Sequence, residues 1–227
     1  MEKRTHIDQS VAGVMIENEK KANENYRRTH PHSLIPVFEQ ELHNIGFAFE
    51  VSSQTLGFMP KYKSVISPIA LKYYCLARNR AEHDEQNHFL RFLAWRGNEE
   101  VVAMLLDDFC AIDTPSLTRW FIADALYQIR SAKYVDEYIR IIADPNYGKN
   151  RQMLILLIGK LKAKTAIPVL VDLLDDKDVC LQAIISLGEF RDENLRSYFE
   201  RFQNVTHAGW RKYSRIALKK LGHTPSP

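Results

Sequence analysis

The sequence predicts an all-α protein: a right-handed α-solenoid of about five short helix pairs behind an N-terminal helical cap. Two observations carry that prediction. From about residue 60 onward the chain alternates short amphipathic runs with polar turns, and nothing reads as strand. The same two-helix unit also recurs. The leucine-like residues near the end of each second helix, Leu93, Leu126, Ile158, Leu187 and Leu218, are spaced by 33, 32, 29 and 31 residues. A helix of about ten residues cannot bury a face alone, so pairs of this length must stack on other pairs. A constant period of roughly 30 residues is the mark of such stacking.

Composition agrees with this class. The 227 residues are 45% hydrophobic and 26% charged, the balance of a soluble protein able to bury a core. The 31 Lys+Arg against 28 Asp+Glu leave +3, too small a surplus to imply nucleic acid. No stretch approaches the ~18 apolar residues of a membrane helix, and no apolar signal run opens the chain, so no membrane partner is expected. The scattered Cys75, Cys110 and Cys180 form no disulfide framework, which points to a reducing cytoplasm. No metal or cofactor is expected. No Cys has a His at zinc-finger spacing. His30 and His32 flank Pro31 in a linker, and His83 and His88 diverge by about 140° on a helix. Ser-His-Asp order, a phosphate loop and a dinucleotide fingerprint are all absent.

Taken in order, residues 1–59 form the helical cap. One helix is expected over 10–28, with Ser10 as N-cap and Val11, Met15, Asn18, Ala22 and Tyr26 on one face. Ser33 caps a second run from Leu34 to Asn44, with Pro36 in the first turn and Gly46 at the C-terminal side. Phe47 to Met59 is apolar without a period, a loop or short helix packed on the first pair. The array spans 60–223 and a disordered tail covers 224–227. Its clearest unit runs from Thr165 to Asp192. Ala166–Leu174 has helical spacing, Asp175–Asp178 makes a polar turn, and Val179–Phe190 forms the second helix through Leu187-Gly188.

Seven positions before the five anchors lie Gln86, Arg119, Arg151, Cys180 and Arg211, with Asp113, Asp144 and Asp176 in the preceding turns. Together with Ala183-Ile-Ile-Ser-Leu-Gly188, this resembles the Asp/Val-Arg/Ala/Leu-Gly pattern of HEAT repeats. The short bacterial form, also found in phycobilin lyases, is the nearer likeness, since eukaryotic units run to ~40–47 residues. Lys61–Pro68 and Tyr147–Met153 are similar to segments of uncharacterised bacterial HEAT-repeat proteins. The resemblance covers about residues 60–223. It implies a solenoid, a bacterial setting and an Arg–Asp ladder between units built from Asp113, Arg119, Asp144, Arg151, Asp176 and Arg211, and it supplies no activity.

Three surfaces are candidates for function. Six and two positions before each anchor, side chains should leave the core stripe. There Trp120, Leu156, Leu181 and Ile185 form an apolar strip edged by Asp124, Gln152 and Lys160, as a protein-binding concave face would. The last helix carries Arg211, Lys212, Arg215, Lys219 and Lys220 without an acid, and Trp210 and Tyr213 interleave them. That pattern suits either a phosphate-binding patch for nucleic acid or a polar outer cap. Finally, Trp120 and Asp124 lie on one helical face, a spacing similar to that in HEAT-like alkyl-purine DNA glycosylases. That resemblance would make Asp124 catalytic, with Trp120 against the lesion, but the second Trp and extra Asp of those enzymes are missing. The resulting expectation is a non-enzymatic protein-binding module, a regulatory or immunity-type adaptor. A DNA-binding protein or glycosylase is the alternative.

Overall fold

The computed structural model describes residues 28–47 and 62–222. Among them every regular element is α or 3-10 helix and none is strand. A first helix, α1 (Ile35–Asn44), precedes five pairs. These are α2 (Lys63–Asn79) with α3 (His83–Leu93), α4 (Val102–Cys110) with α5 (Ser116–Ile129), and α6 (Val135–Ala143) with α7 (Gln152–Leu161). The last two are α8 (Ile167–Asp172) with α9 (Cys180–Phe190), and α10 (Arg196–Glu200) with α11 (Ala208–Leu221). The helix expected over 10–28, Arg28 apart, lies outside the described residues, as do 48–59 and the tail 224–227.

α1 starts where its capping signals place it. The Ser33 hydroxyl accepts from the Ile35 N–H at 3.2 Å, and Gly46 closes the far end at φ +95°. A partner invisible in the local sequence completes the cap. The buried Glu85 of α3 accepts the Leu34 N–H at 2.9 and 3.1 Å on its two oxygens, and the Ser33 hydroxyl donates to it as well. A carboxylate is favoured at a helix N-terminus, so α1 is tied electrostatically to the first pair. Phe38 adds edge-on ring contacts to Tyr73 and Phe89 at 5.6 and 5.2 Å.

The second helices share one phase. In α9 Cys180, Ala183, Ile184, Leu187 and Gly188 are buried, and in α7 so are Leu154, Ile155, Ile158 and Gly159, with Arg151 just ahead. This i, i+3, i+4, i+7, i+8 stripe is what a core-facing helix requires. Phe89, Leu90 and Leu93 repeat it in α3, and Ile122, Ala123 and Leu126 in α5. Each second helix packs on the first helix of its own pair. Consecutive second helices also pack in chain order: α3 on α5, α5 on α7, α7 on α9 and α9 on α11. Arg130, Lys162 and Arg191, each four residues past its anchor, take left-handed φ values of 60°, 53° and 54° to end α5, α7 and α9.

One first helix differs from expectation. The run 166–174 is not a single α-helix, because 3-10 turns over Lys164–Ala166 and Leu173–Asp175 tighten both ends of α8.

Small residues set the spacing between second helices. A Cβ on Gly159 would stand 2.7 Å from the Ser186 Cα, and one on Gly188 would stand 3.1 Å from the Ala217 Cβ. Ser186 uses the same approach to donate its hydroxyl to the Ile155 carbonyl at 2.6 Å. A helical Gly→Ala change ordinarily gains about 1 kcal/mol, whereas overpacking costs about 1–3 kcal/mol. Because the obstacle at Gly159 is backbone, overpacking wins there, and Gly159→Ala should lower unfolding stability by about 1–2 kcal/mol net. Gly188→Ala meets only a methyl group and should come out near neutral. Denaturant melts of the two variants check this; equal effects would show that the α7–α9 contact is not the tighter one.

Candidate partner-binding face

Outside the buried stripe, the columns six and two positions before each anchor come to the surface together. Trp120 is 40% exposed, and Leu156, Leu181, Ile185, Asp124 and Gln152 are partly exposed. Ile216 of α11 extends the second column at 39% exposure. The exception is in α3. Asn87 is buried where the phase would send it outward, and its Oδ1 accepts no hydrogen bond from any described residue. From α5 to α11, then, the strip is a mixed apolar surface. Trp120 is the most exposed of its apolar side chains, and it lies edge-on to Phe121 at 5.4 Å.

The polar edge is partly committed. Gln152 donates to the Asp178 carbonyl at 2.8 Å, linking α7 to the turn before α9. Glu189 stands between two cations, 2.9 Å from Lys220 and 3.8 Å from Lys160, so one carboxylate spans α7, α9 and α11. Burial raises the Glu189 pKa, but Lys220 and Lys160 outweigh it and hold the carboxyl below the usual range. Asp124 has no such help. Burial pushes its pKa up, opposed only by a hydrogen bond from Gln128 one turn along the same helix.

The arginine column is not the expected Arg–Asp ladder. Arg119 donates to the carbonyls of Phe109, Ala111 and Ile112 at 2.9, 2.7 and 3.4 Å, and stacks over Tyr147. Arg211 donates to the Val205 and Thr206 carbonyls at 2.5 and 2.7 Å. Among the described residues neither pairs with a carboxylate, and Asp113 is exposed. Phe109 lies in the last turn of α4, where helix termination leaves carbonyls without N–H partners in front of Arg119, whereas Val205 and Thr206 lie in the turn that leads into α11. Asp144 instead accepts from the Asn146 N–H at 2.9 Å.

Arg151 alone does both. It bonds the Gly148 and Ile142 carbonyls at 2.9 and 3.0 Å and reaches Asp176 of the next pair at 2.5 Å. The sequence suggests a partly wet turn here, but Arg151 is only 2% exposed. Burial works against ionised Asp176, yet Arg151 and the Asp178 N–H prevail and lower its pKa. In α9 the column holds Cys180, whose thiol burial pushes up to about 11, leaving it unreactive.

The basic last helix divides in the same way. Arg211 is spent on carbonyls and Lys220 on Glu189, while Lys212, Arg215 and Lys219 are exposed. Arg215 occupies the column that Leu90, Ala123, Ile155 and Ile184 fill with buried side chains in earlier pairs. No sixth pair covers it among the described residues, so a charge stands there.

A buried polar cluster between the first two pairs has no counterpart in the sequence reading. Asp108, 4% exposed, accepts the Tyr74 hydroxyl at 2.6 Å and pairs with Arg78 at 2.6 Å. Gln86 donates to the same Tyr74 oxygen at 2.9 Å and faces His83 at 3.2 Å. The available signal was Asp108 itself, a carboxylate in phase with the buried Leu105 and Phe109. A separate open cleft of about 640 Å³ between residues 29–33 and 81–85 gathers His30, His32, His83, Glu82 and Asp84. Neither there nor elsewhere among the described residues do three such side chains come together in an arrangement that could hold a metal ion. No described helix is long and apolar enough to cross a membrane.

Breaking a buried ion pair costs about 3–5 kcal/mol, and an exposed one about 0–1. With Arg151 buried and Asp176 partly exposed, Arg151→Ala should cost about 2–4 kcal/mol in denaturant melts. Asp176 titrates below its unfolded value, so the pair's contribution is full above the ordinary aspartate range and fades as pH falls through the folded value. The stability gap between wild type and Arg151→Ala should therefore narrow in acid. A gap independent of pH would assign the loss to the carbonyl bonds alone.

Comparison with protein-family models, curated proteins and solved structures found no match, so the HEAT resemblance rests on the sequence pattern alone.

Proposed function

We propose that the chain is a curved, right-handed α-solenoid of five HEAT-like pairs that binds another protein through a concave face lined by its second helices. The role that fits is a non-enzymatic cytoplasmic adaptor of a regulatory or immunity type. One observation carries the reading. Trp120, Leu156, Leu181, Ile185 and Ile216 fall in two adjacent columns on the second helices of four consecutive pairs and remain partly exposed beside the buried stripe of those helices. A contiguous apolar surface with an exposed tryptophan is the usual core of a protein interface.

The test is affinity capture followed by mass spectrometry, run with wild type, Trp120→Ala and Leu181→Asp. A partner bound by wild type should be lost from both variants, because truncating an anchor aromatic commonly costs ≥ 2 kcal/mol, about 30-fold in affinity. Melting temperature should change little for Trp120→Ala, and capture should depend weakly on salt. The DNA reading gives the opposite pattern. Affinity for duplex DNA would fall steeply with salt and weaken on Lys212→Ala or Lys219→Ala, and a glycosylase would release alkylated base in an Asp124-dependent manner. Base release lost on Asp124→Asn would replace the binding proposal with an enzymatic one.

A further inference from the structure

The strip's two ends differ in charge, and this defines the partner more narrowly. At the α5 end, Asp124 is half-buried and, among the described residues, takes its hydrogen bond from Gln128 of its own helix. One turn earlier on the same face, Trp120 offers an exposed indole. A carboxylate held out of water beside an aromatic face suits a guanidinium or ammonium, which gains a charge-assisted hydrogen bond from one and a cation–π contact from the other. Neither neighbouring position in α7 supplies that cation: Leu156 is apolar, and Gln152 is engaged with the Asp178 carbonyl. At the α11 end the signs reverse. Lys212 and Arg215 are exposed around Ile216, and their helix carries no acidic residue. Between the ends, Leu156, Leu181 and Ile185 provide the apolar surface, and at its edge Lys160 is paired with Glu189. Three helix-to-helix steps of about 8–10 Å separate α5 from α11, roughly 24–30 Å in all. An α-helix covers that distance in about 16–20 residues.

We infer that the strip takes an amphipathic helical peptide of segregated charge. Its cationic end lies between Trp120 and Asp124, its apolar face on Leu156, Leu181 and Ile185, and its acidic end against Lys212 and Arg215. This rests on the protein-binding reading and deepens it, since complementary ends fix one direction of binding where an apolar strip alone would not.

Three synthetic 18-residue helical peptides with the same apolar face test it by fluorescence anisotropy against the full chain. One carries arginines at one end and glutamates at the other. The second has the same residues in alternating order, and the third has glutamine at every charged position. The segregated peptide should bind at least about tenfold more tightly than the other two, the worth of one well-placed charged hydrogen bond. Asp124→Asn and the double change Lys212→Glu, Arg215→Glu should each remove most of that margin. A photo-crosslinker on the arginine end should label α5 and not α11. Equal binding of all three peptides, weakened alike by Trp120→Ala, would overturn segregation and leave the protein-binding strip standing. Failure of every peptide, with duplex DNA binding that depends on Lys212 and ignores Asp124→Asn, would overturn both.

Discussion

The close approach of α7, α9 and α11 is the constraint on which the rest of the described structure depends. Gly159 lies against the Ser186 backbone and Gly188 against Ala217, and neither contact leaves room for a larger side chain without movement. Helices this close can interdigitate in only one rotational setting. Fixing the rotation buries Leu154, Ile158, Ile184 and Leu187 and, by the same geometry, turns Leu156, Leu181 and Ile185 toward the surface. The candidate interface is thus a consequence of core packing, not a separately built site.

Polar groups secure the same register from its two sides. At the N-terminal ends of α5, α7 and α11 a guanidinium gathers carbonyls of the preceding helix end or turn, and through Arg151 it also joins two pairs by a charge. At the C-terminal ends Glu189 lies between Lys160 and Lys220. These contacts fix register more than they add stability, because desolvation offsets much of the Coulomb gain. The first two pairs use another device, the buried Tyr74–Asp108–Gln86 cluster, and Glu85 fastens α1 to them. Burial pushes the Asp108 pKa up despite the Tyr74 and Arg78 bonds, so at that junction desolvation outweighs the partners.

What was legible in the sequence follows from periodicity. The anchors Leu93, Leu126, Ile158 and Leu187, the Leu187-Gly188 signature and the exposed columns from α5 onward are side-chain patterns that the described helices follow, while the last anchor, Leu218, is only partly buried. The partners of Arg119 and Arg211 were not legible, because backbone carbonyls leave no trace in residue type. Their offsets also vary: Phe109 is ten residues before Arg119, while Val205 is six before Arg211. Nor could pattern pair Tyr74 with Asp108 across 34 positions, though an acid in the buried phase of α4 marked one member. Asn87 departed from its column: α3 buries Glu85, Gln86 and Asn87 in succession, whereas Trp120, Gln152 and Leu181 at the matching position of later helices reach the surface.

The central claim is that Trp120, Leu156, Leu181 and Ile185 form one open surface that a protein partner closes. Covalent footprinting of the full chain, read by mass spectrometry with and without the captured partner, tests it most directly. The account predicts labelling of Trp120 above all in the free protein, weaker labelling at Leu156, Leu181 and Ile185, and loss of all four signals together on binding. Labelling of Trp120 that persists in the complex, with protection appearing on the first helices α4, α6 and α8, would contradict it.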